Sequence, residues 1–328
     1  MSSWSMSCRR RRVEWGFDHL ISEHTVMIGD AQMKFIDALR KLLAAAMVAL
    51  FGVTAGAQPA TAPAGEPTTA AEAALQDKYG DKVTLEDYRT YRRIVDALPP
   101  EQLAWEMVLE DQLGGFYFPI HLKSRIKPDF NAFTSDWGYI VDDPDLPRIL
   151  LIGDSISRSY TVSVRKLLEG KANLHRAPAN CGSTDSGTKN MAVWLDQSGS
   201  QWDIVYFNFG IHDRKKTPEQ YAANLEKVIE LLQPTGAKLI FARTTPFRVK
   251  DEGDEDGAPP LNATSDAVMA AHGIPVDDLH GIVVEQIETL QGEDRTHFNA
   301  EGIKLLAAHV AATLEASMAE IEAAEQPQ

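Results

Sequence analysis

The chain has 328 residues, 44% apolar and 24% charged, which suits one large domain or one domain with an appendage. Its 47 acidic and 32 basic residues give a net charge of −15, which argues against nucleic acid, whose phosphates demand Lys and Arg, and against a general affinity for anionic membranes. The two cysteines, Cys8 and Cys181, belong to no CxxC or Cys/His cluster of zinc spacing, and neither a metal nor a cofactor is expected.

Residues 1–32 carry a basic run, Arg9 to Arg12, and no clear apolar period. From Met33 a charged stretch leads into the apolar run Leu42 to Val53 and then Ala55-Gly56-Ala57. This is the layout of a signal peptide over 33–57, cut after Ala57, with residues 1–32 a misassigned leader. The apolar run is too short to span a bilayer; an uncleaved anchor helix is the alternative. An exported protein is therefore expected, with no integral membrane anchor after cleavage. Loss of seven Lys/Arg and five Asp/Glu with residues 1–57 takes the net charge from −15 to −17. It also removes Cys8, so Cys181 becomes a lone thiol, a type of residue more often buried than reactive. Residues 58–70, rich in Pro, Ala and Thr, read as a flexible linker.

An appendage follows over 71–146. Leu85, Tyr88, Tyr91 and Ile94-Val95 recur near helical spacing, and Pro99-Pro100 break the run before a second helix from about Glu101. Residues 113–146 read as irregular and aromatic, with Phe116, Tyr117, Phe118, Phe130, Phe133, Trp137 and Tyr139. These aromatics either pack against the main domain or wall a substrate.

From Pro147 to 325, strand-like and helix-like segments alternate. Strands are expected over 148–152, 172–177, 203–209, 237–243 and 274–278. Helices are expected over 158–169, 187–197, 217–233, 261–272, 280–290 and 300–323. Asp203 to Phe209 is almost continuously apolar, as a strand covered on both faces should be. The alternation predicts a five-stranded parallel sheet with right-handed crossovers. The acidic stretch within Arg248–Pro260 reads as a solvated loop; its spacing is not that of an EF-hand.

Four apolar residues, Ile149 to Ile152, run into Gly153-Asp154-Ser155. A serine at the carboxyl end of a parallel strand lies where open α/β sheets bind ligands, although Ser and Asp also serve as helix caps. Later, Asp294 precedes His297 by three residues, before the last helix. A short turn can bring that carboxylate to Nδ1 of the imidazole and leave Nε2 for a serine proton. Asn299 reads as the cap of the terminal helix. Asn180-Cys181-Gly182-Ser183 follows the second strand, and Phe207-Asn208-Phe209-Gly210-Ile211-His212-Asp213 ends the third. Both loops fall on the sheet edge that carries Ser155.

These segments resemble the blocks of the SGNH hydrolases, also called GDSL-type esterases. Gly153-Asp154-Ser155 is similar to the first block, Gly182 to the second-block glycine, Gly210-Ile211-His212-Asp213 to the G-x-N-D block and Asp294-Arg295-Thr296-His297 to the D-x-x-H block. They occur in the family's order over about 150–300. The resemblance implies a flavodoxin-like three-layer α/β/α sandwich, with Ser155 as nucleophile, His297 as base, Asp294 as its partner, and Ser155, Gly182 and His212 as the oxyanion hole. His212 stands where the family has asparagine; an imidazole also donates hydrogen bonds. Asn208 is a possible substitute for that donor. Asp154, Arg158, Asn208 and Arg243 are further candidates for substrate contact, with loop support for Asp154 and ion pairing for the arginines as the alternatives. His280, near the fifth strand, is a rival base without an acid at the D-x-x-H spacing.

The expected function is an exported serine esterase acting on a small acyl ester, O-acetyl on carbohydrate in particular. The partner is then a small ester or an acetylated carbohydrate. O-acyl transfer to a glycan, a lipase or thioesterase activity, and a catalytically silent carbohydrate-binding protein are the alternatives.

Overall fold

The computed structural model describes residues 70–197, 201–248 and 255–325. The expected leader and signal peptide, nearly all of the linker and most of the acidic stretch lie outside them.

Five parallel strands form the sheet: β1 (Arg148–Ile152), β2 (Asn173–Arg176), β3 (Ile204–Phe207), β4 (Lys238–Ala242) and β5 (Val276–Asp277). Their order, β2-β1-β3-β4-β5, is that of flavodoxin-like sheets, as expected. Each strand is shorter than or equal to the segment expected for it. Hydrogen-bond pairing ends where the neighbouring strand turns away, and β5 shares just two register pairs with β4.

Helices cover both faces. Helices α5 (Ser155–Leu167) and α11 (Ala300–Glu325) bury one face with Ile149, Leu151, Ile204, Tyr206 and Ile240. Helices α6 (Thr184–Leu195), α7 (Pro218–Leu232) and α8 (Ala258–Ala271) bury the other with Leu150, Ile152, Val205, Phe207 and Phe241. Alternate residues of one strand thus enter two cores, the period-2 rule applied to a sheet covered on both sides. The run expected as one helix over 280–290 forms two short turns, α9 (Gly281–Val284) and α10 (Ile287–Leu290).

The appendage is more helical than its sequence suggests. Helices α1 (Ala70–Tyr79), α2 (Leu85–Val95) and α3 (Pro100–Gln112) are followed by α4 (Gly114–Arg125), where irregular chain was expected. Gly-Gly and an internal proline argue against a helix there. Burial of Phe118, His121 and Leu122 at helical spacing outweighs them. Pro119 cannot donate to the carbonyl of Gly115, and the ammonium of Lys82 bonds that carbonyl instead. Glu106 of α3 ties the bundle together, accepting from the His121 ring at 2.7 Å, Arg125 at 2.9 Å and the Tyr91 hydroxyl at 3.0 Å. Burial opposes ionisation of Glu106, but these bonds prevail and its carboxyl lies below the usual range.

Of the aromatics over 113–146, two are buried, and they pack within the appendage, not against the main domain as expected, while Phe116 is exposed. Phe118 and Trp137 are buried with Tyr91 and Leu109 in a third core. The segment after α4 bonds the main domain through Arg158 to Asp136 and through Arg165 to the carbonyls of Phe133 and Ser135. Asp142 is shared by Arg148 and His175.

Candidate active site

Ser155 is the first residue of α5, and Asp154 caps that helix by accepting from the amide of Ile156 at 2.9 Å. The strand thus ends in a tight turn into a helix, which lifts the Ser155 hydroxyl above the carboxyl edge of the sheet. The amide of Ser155 belongs to the first helical turn, where N–H groups have no partner within the helix and attract negative charge.

His297 arrives from the loop before α11. Its Nε2 is 2.7 Å from Ser155 Oγ and its Nδ1 is 2.6 Å from Asp294 Oδ2. The other oxygen, Asp294 Oδ1, accepts the amides of Thr296 at 3.0 Å and His297 at 2.9 Å. The D-x-x-H spacing therefore closes a turn in which one carboxylate holds both the backbone and the ring. Desolvation disfavours the Asp294 carboxylate, but the bonds from the ring and the two amides outweigh it, and its carboxyl lies below the usual range. Asn299 accepts the amides of Glu301 and Gly302 and so caps α11, as expected.

The other two loops meet beside this pair. Gly182 has φ of +67°, a left-handed conformation that suits glycine, and the preceding Cys181 amide bonds the carbonyl of Gly153 at 3.1 Å. Gly210 lies so close to Thr244 that a Cβ would fall 1.7 Å from its hydroxyl oxygen. The His212 ring follows, 3.6 Å from Asp154 Oδ2 through its Nε2. Asp213 is fully buried and joins the two loops, accepting the Thr184 amide at 2.9 Å and the Thr184 hydroxyl at 2.6 Å.

Burial pushes the Asp213 carboxyl above the usual range, and the Thr184 bonds only partly offset this. The folded protein holds this proton to higher pH than the unfolded chain does. Its contribution to stability therefore falls as pH rises from the ordinary aspartate range through the raised folded value, and is level above it. Asp213→Ala strands both Thr184 donors and is expected to cost about 2–3 kcal/mol of stability; Asp213→Asn is expected to cost less and to remove that pH trend. Urea denaturation across pH measures both.

Several sequence candidates are engaged elsewhere. The Asp154 carboxyl is 4% exposed and committed to its cap. Asn208 donates its amide to the carbonyl of Ala242 at 2.7 Å, which ties β3 to β4. Arg158 pairs with Asp136 and lies over the Tyr117 and Trp137 rings. Arg243 grips Asp266 with two nitrogens and Asp278 with a third. These contacts match the alternatives of loop support and ion pairing, yet Asp154, Asn208 and Arg243 also line the small cavity beside the nucleophile turn, whereas Arg158 does not. His280 bonds Asp256 instead of approaching Ser155. Cys181 is buried and its thiol is pushed up to about 12 by burial, so it is inert. Sequence reasoning passed over Arg176, a charged residue ending an otherwise buried strand. Its strand reads Asn-Leu-His-Arg, so no local contrast in the sequence marks it.

A parallel α/β sheet whose carboxyl edge holds a serine in line with an imidazole and a carboxylate is the construction of a serine hydrolase acting on esters. Residues 151–305 match the GDSL-like lipase/acylhydrolase family, the SGNH hydrolase family that the sequence blocks resemble. No curated protein sequence matches the chain. Among solved structures, it is similar to a lipase/acylhydrolase from Enterococcus faecalis, with 22% identity over 52% of this chain and 96% of that one and a TM-score of 0.45. It is also similar to a member of the lipolytic G-D-S-L family from Veillonella parvula (22%, 51% and 97%, 0.41) and to an acetyl xylan esterase (14%, 51% and 98%, 0.43).

Proposed function

We propose that this chain is an exported serine esterase that removes small acyl groups, O-acetyl in particular, from carbohydrate. The observation that carries the mechanism is the pair of short contacts from Ser155 to His297 and from His297 to Asp294. Ser155 Oγ attacks the acyl carbon while His297 Nε2 takes the hydroxyl proton. The alcohol leaves with that proton, and an acyl-serine ester remains. Water then attacks with His297 again as base, and the acid and the free serine are regenerated. Asp294 holds the tautomer and stabilises the imidazolium. The amides of Ser155 and Gly182, with the His212 ring, receive the charge on the carbonyl oxygen.

One feature supports a bulky alcohol. The side chains of His297 and Asp294 are 47% and 55% exposed, so an ester on a polymer can reach the hydroxyl without entering a tunnel. Export rests on the signal-peptide layout of residues 33–57.

A screen of acetylated glycans beside acyl nitrophenyl esters of rising chain length tests this. Release of acetate from a glycan, with activity falling steeply beyond short acyl groups, is the expected result; preference for long chains refutes it. Acyl transfer is recognised by sugar-dependent loss of free acetate when an acceptor is added. For the hole, His212→Ala is expected to lower kcat by about 10²-fold or more with KM little changed; an unchanged kcat removes His212 from the mechanism.

A further inference from the structure

The carboxyl end of β2 lies directly under the nucleophile turn, since Arg176 is paired with Leu151 of β1. Arg176 is 2% exposed, and among the described residues no carboxylate lies within ion-pair distance of it. Its guanidinium is committed to the turn itself. One terminal nitrogen donates to the carbonyls of Gly153 at 2.8 Å and Asp154 at 2.9 Å, and the other to Ser157 Oγ at 2.7 Å. Ser157 in turn donates to the same Asp154 carbonyl at 2.9 Å. A buried cation without a carboxylate partner is costly, and neutral carbonyls compensate it poorly. Such an expense calls for a role that packing alone does not supply.

The geometry of one peptide group points to that role. The carbonyl of Asp154 and the amide of Ser155 belong to a single planar trans unit, so they face opposite ways. Whatever holds the carbonyl holds the N–H the opposite way: the Arg158 amide, 3.0 Å from the same carbonyl, closes the first turn of α5, and Arg176 adds a charge to that hold. A charge-assisted bond to the carbonyl also polarises the amide and makes its N–H a stronger donor. We propose that Arg176 is a positioning residue that aims and polarises the Asp154–Ser155 peptide, so that the Ser155 amide becomes an effective oxyanion donor. This rests on the esterase reading above and adds to it a source of oxyanion-hole strength outside the catalytic residues. Arg176 touches neither substrate nor reacting atoms, and Ser157 is its relay to the same carbonyl.

The test compares a small oxoester with its matched thionoester. Sulfur accepts hydrogen bonds weakly, so the ratio of the two rates reports how strongly the hole favours oxygen. Arg176→Lys keeps the charge but loses the planar fork. It is expected to lower kcat for the oxoester by about 10²-fold with KM little changed, and to lower the oxo/thiono ratio by about tenfold. Ser157→Ala, which removes one oxygen and with it one bond to the guanidinium, is expected to lower the ratio in the same direction by less. An equal fall for both esters in Arg176→Lys gives Arg176 a purely structural role and overturns the proposal, as does full activity in both variants. Should Arg176→Lys fail to fold, Ser157→Ala decides, and an unchanged ratio there overturns it. A wild type that hydrolyses no ester and takes no fluorophosphonate label sinks the esterase reading and this proposal together, and is told apart because the parent protein is then silent.

Discussion

Ser155→Ala is expected to lower kcat for a small ester by about 10⁶-fold and to abolish labelling by a fluorophosphonate. The loss is large because no covalent intermediate can form: the hydroxyl 2.7 Å from His297 Nε2 is the atom that must carry the acyl group. His297→Ala is expected to cost about as much, and the double variant no more than either single one, since base and nucleophile act as a unit. The residual rate then reflects whatever the oxyanion donors and substrate binding supply without a nucleophile. Steady-state kinetics with circular dichroism as a folding control measures this. Wild-type labelling in the Ser155→Ala protein moves the nucleophile elsewhere, and additive losses deny the pairing.

Asp294→Asn is expected to cost about 10⁴-fold in kcat with KM nearly unchanged. The reason lies in what each carboxylate oxygen does. Oδ1 accepts two backbone amides, and Oδ2 accepts the ring Nδ1–H. An asparagine satisfies the two amides with its carbonyl oxygen and must then present its NH₂ group to the ring. The imidazole responds by keeping its proton on Nε2, where it can no longer accept the serine proton. Geometry survives while the tautomer is wrong, so a structure close to the parent with a collapsed kcat is the signature. The native carboxyl lies below the usual aspartate range, so its hold on the loop is complete above that range and is lost only as pH falls through the depressed folded value. A full-speed Asp294→Asn enzyme denies the carboxylate its role.

The strands and the order of the site loops were legible because each rests on a short-range signal: apolar runs ending in glycine for β1 and β3, and a carboxylate three residues before an imidazole for the closing turn. The helix α4 was not legible. Its sequence breaks helix rules at Gly114, Gly115 and Pro119, and only packing against α2 and α3, with Lys82 bonding the carbonyl that Pro119 leaves free, overrides them. The fates of Arg158 and Arg243 were also hidden. Whether an arginine near a sheet edge faces a ligand depends on acids far along the chain, here Asp136 for one and Asp266 and Asp278 for the other. Asp213 sits in a recognised motif, but its bond to Thr184, 29 residues away, has no local signature.

The helix that carries the nucleophile serves two masters. Along one side α5 packs into the sheet, and along another Arg158 and Arg165 clasp the segment around Phe133 to Asp136. The family likeness begins at residue 151, yet the described chain packs from α1 onward. Trimming the gene to the recognisable hydrolase would leave two arginines reaching for absent partners one and three turns beyond the reactive serine. The segment before the family match is thus part of the packing around the nucleophile helix.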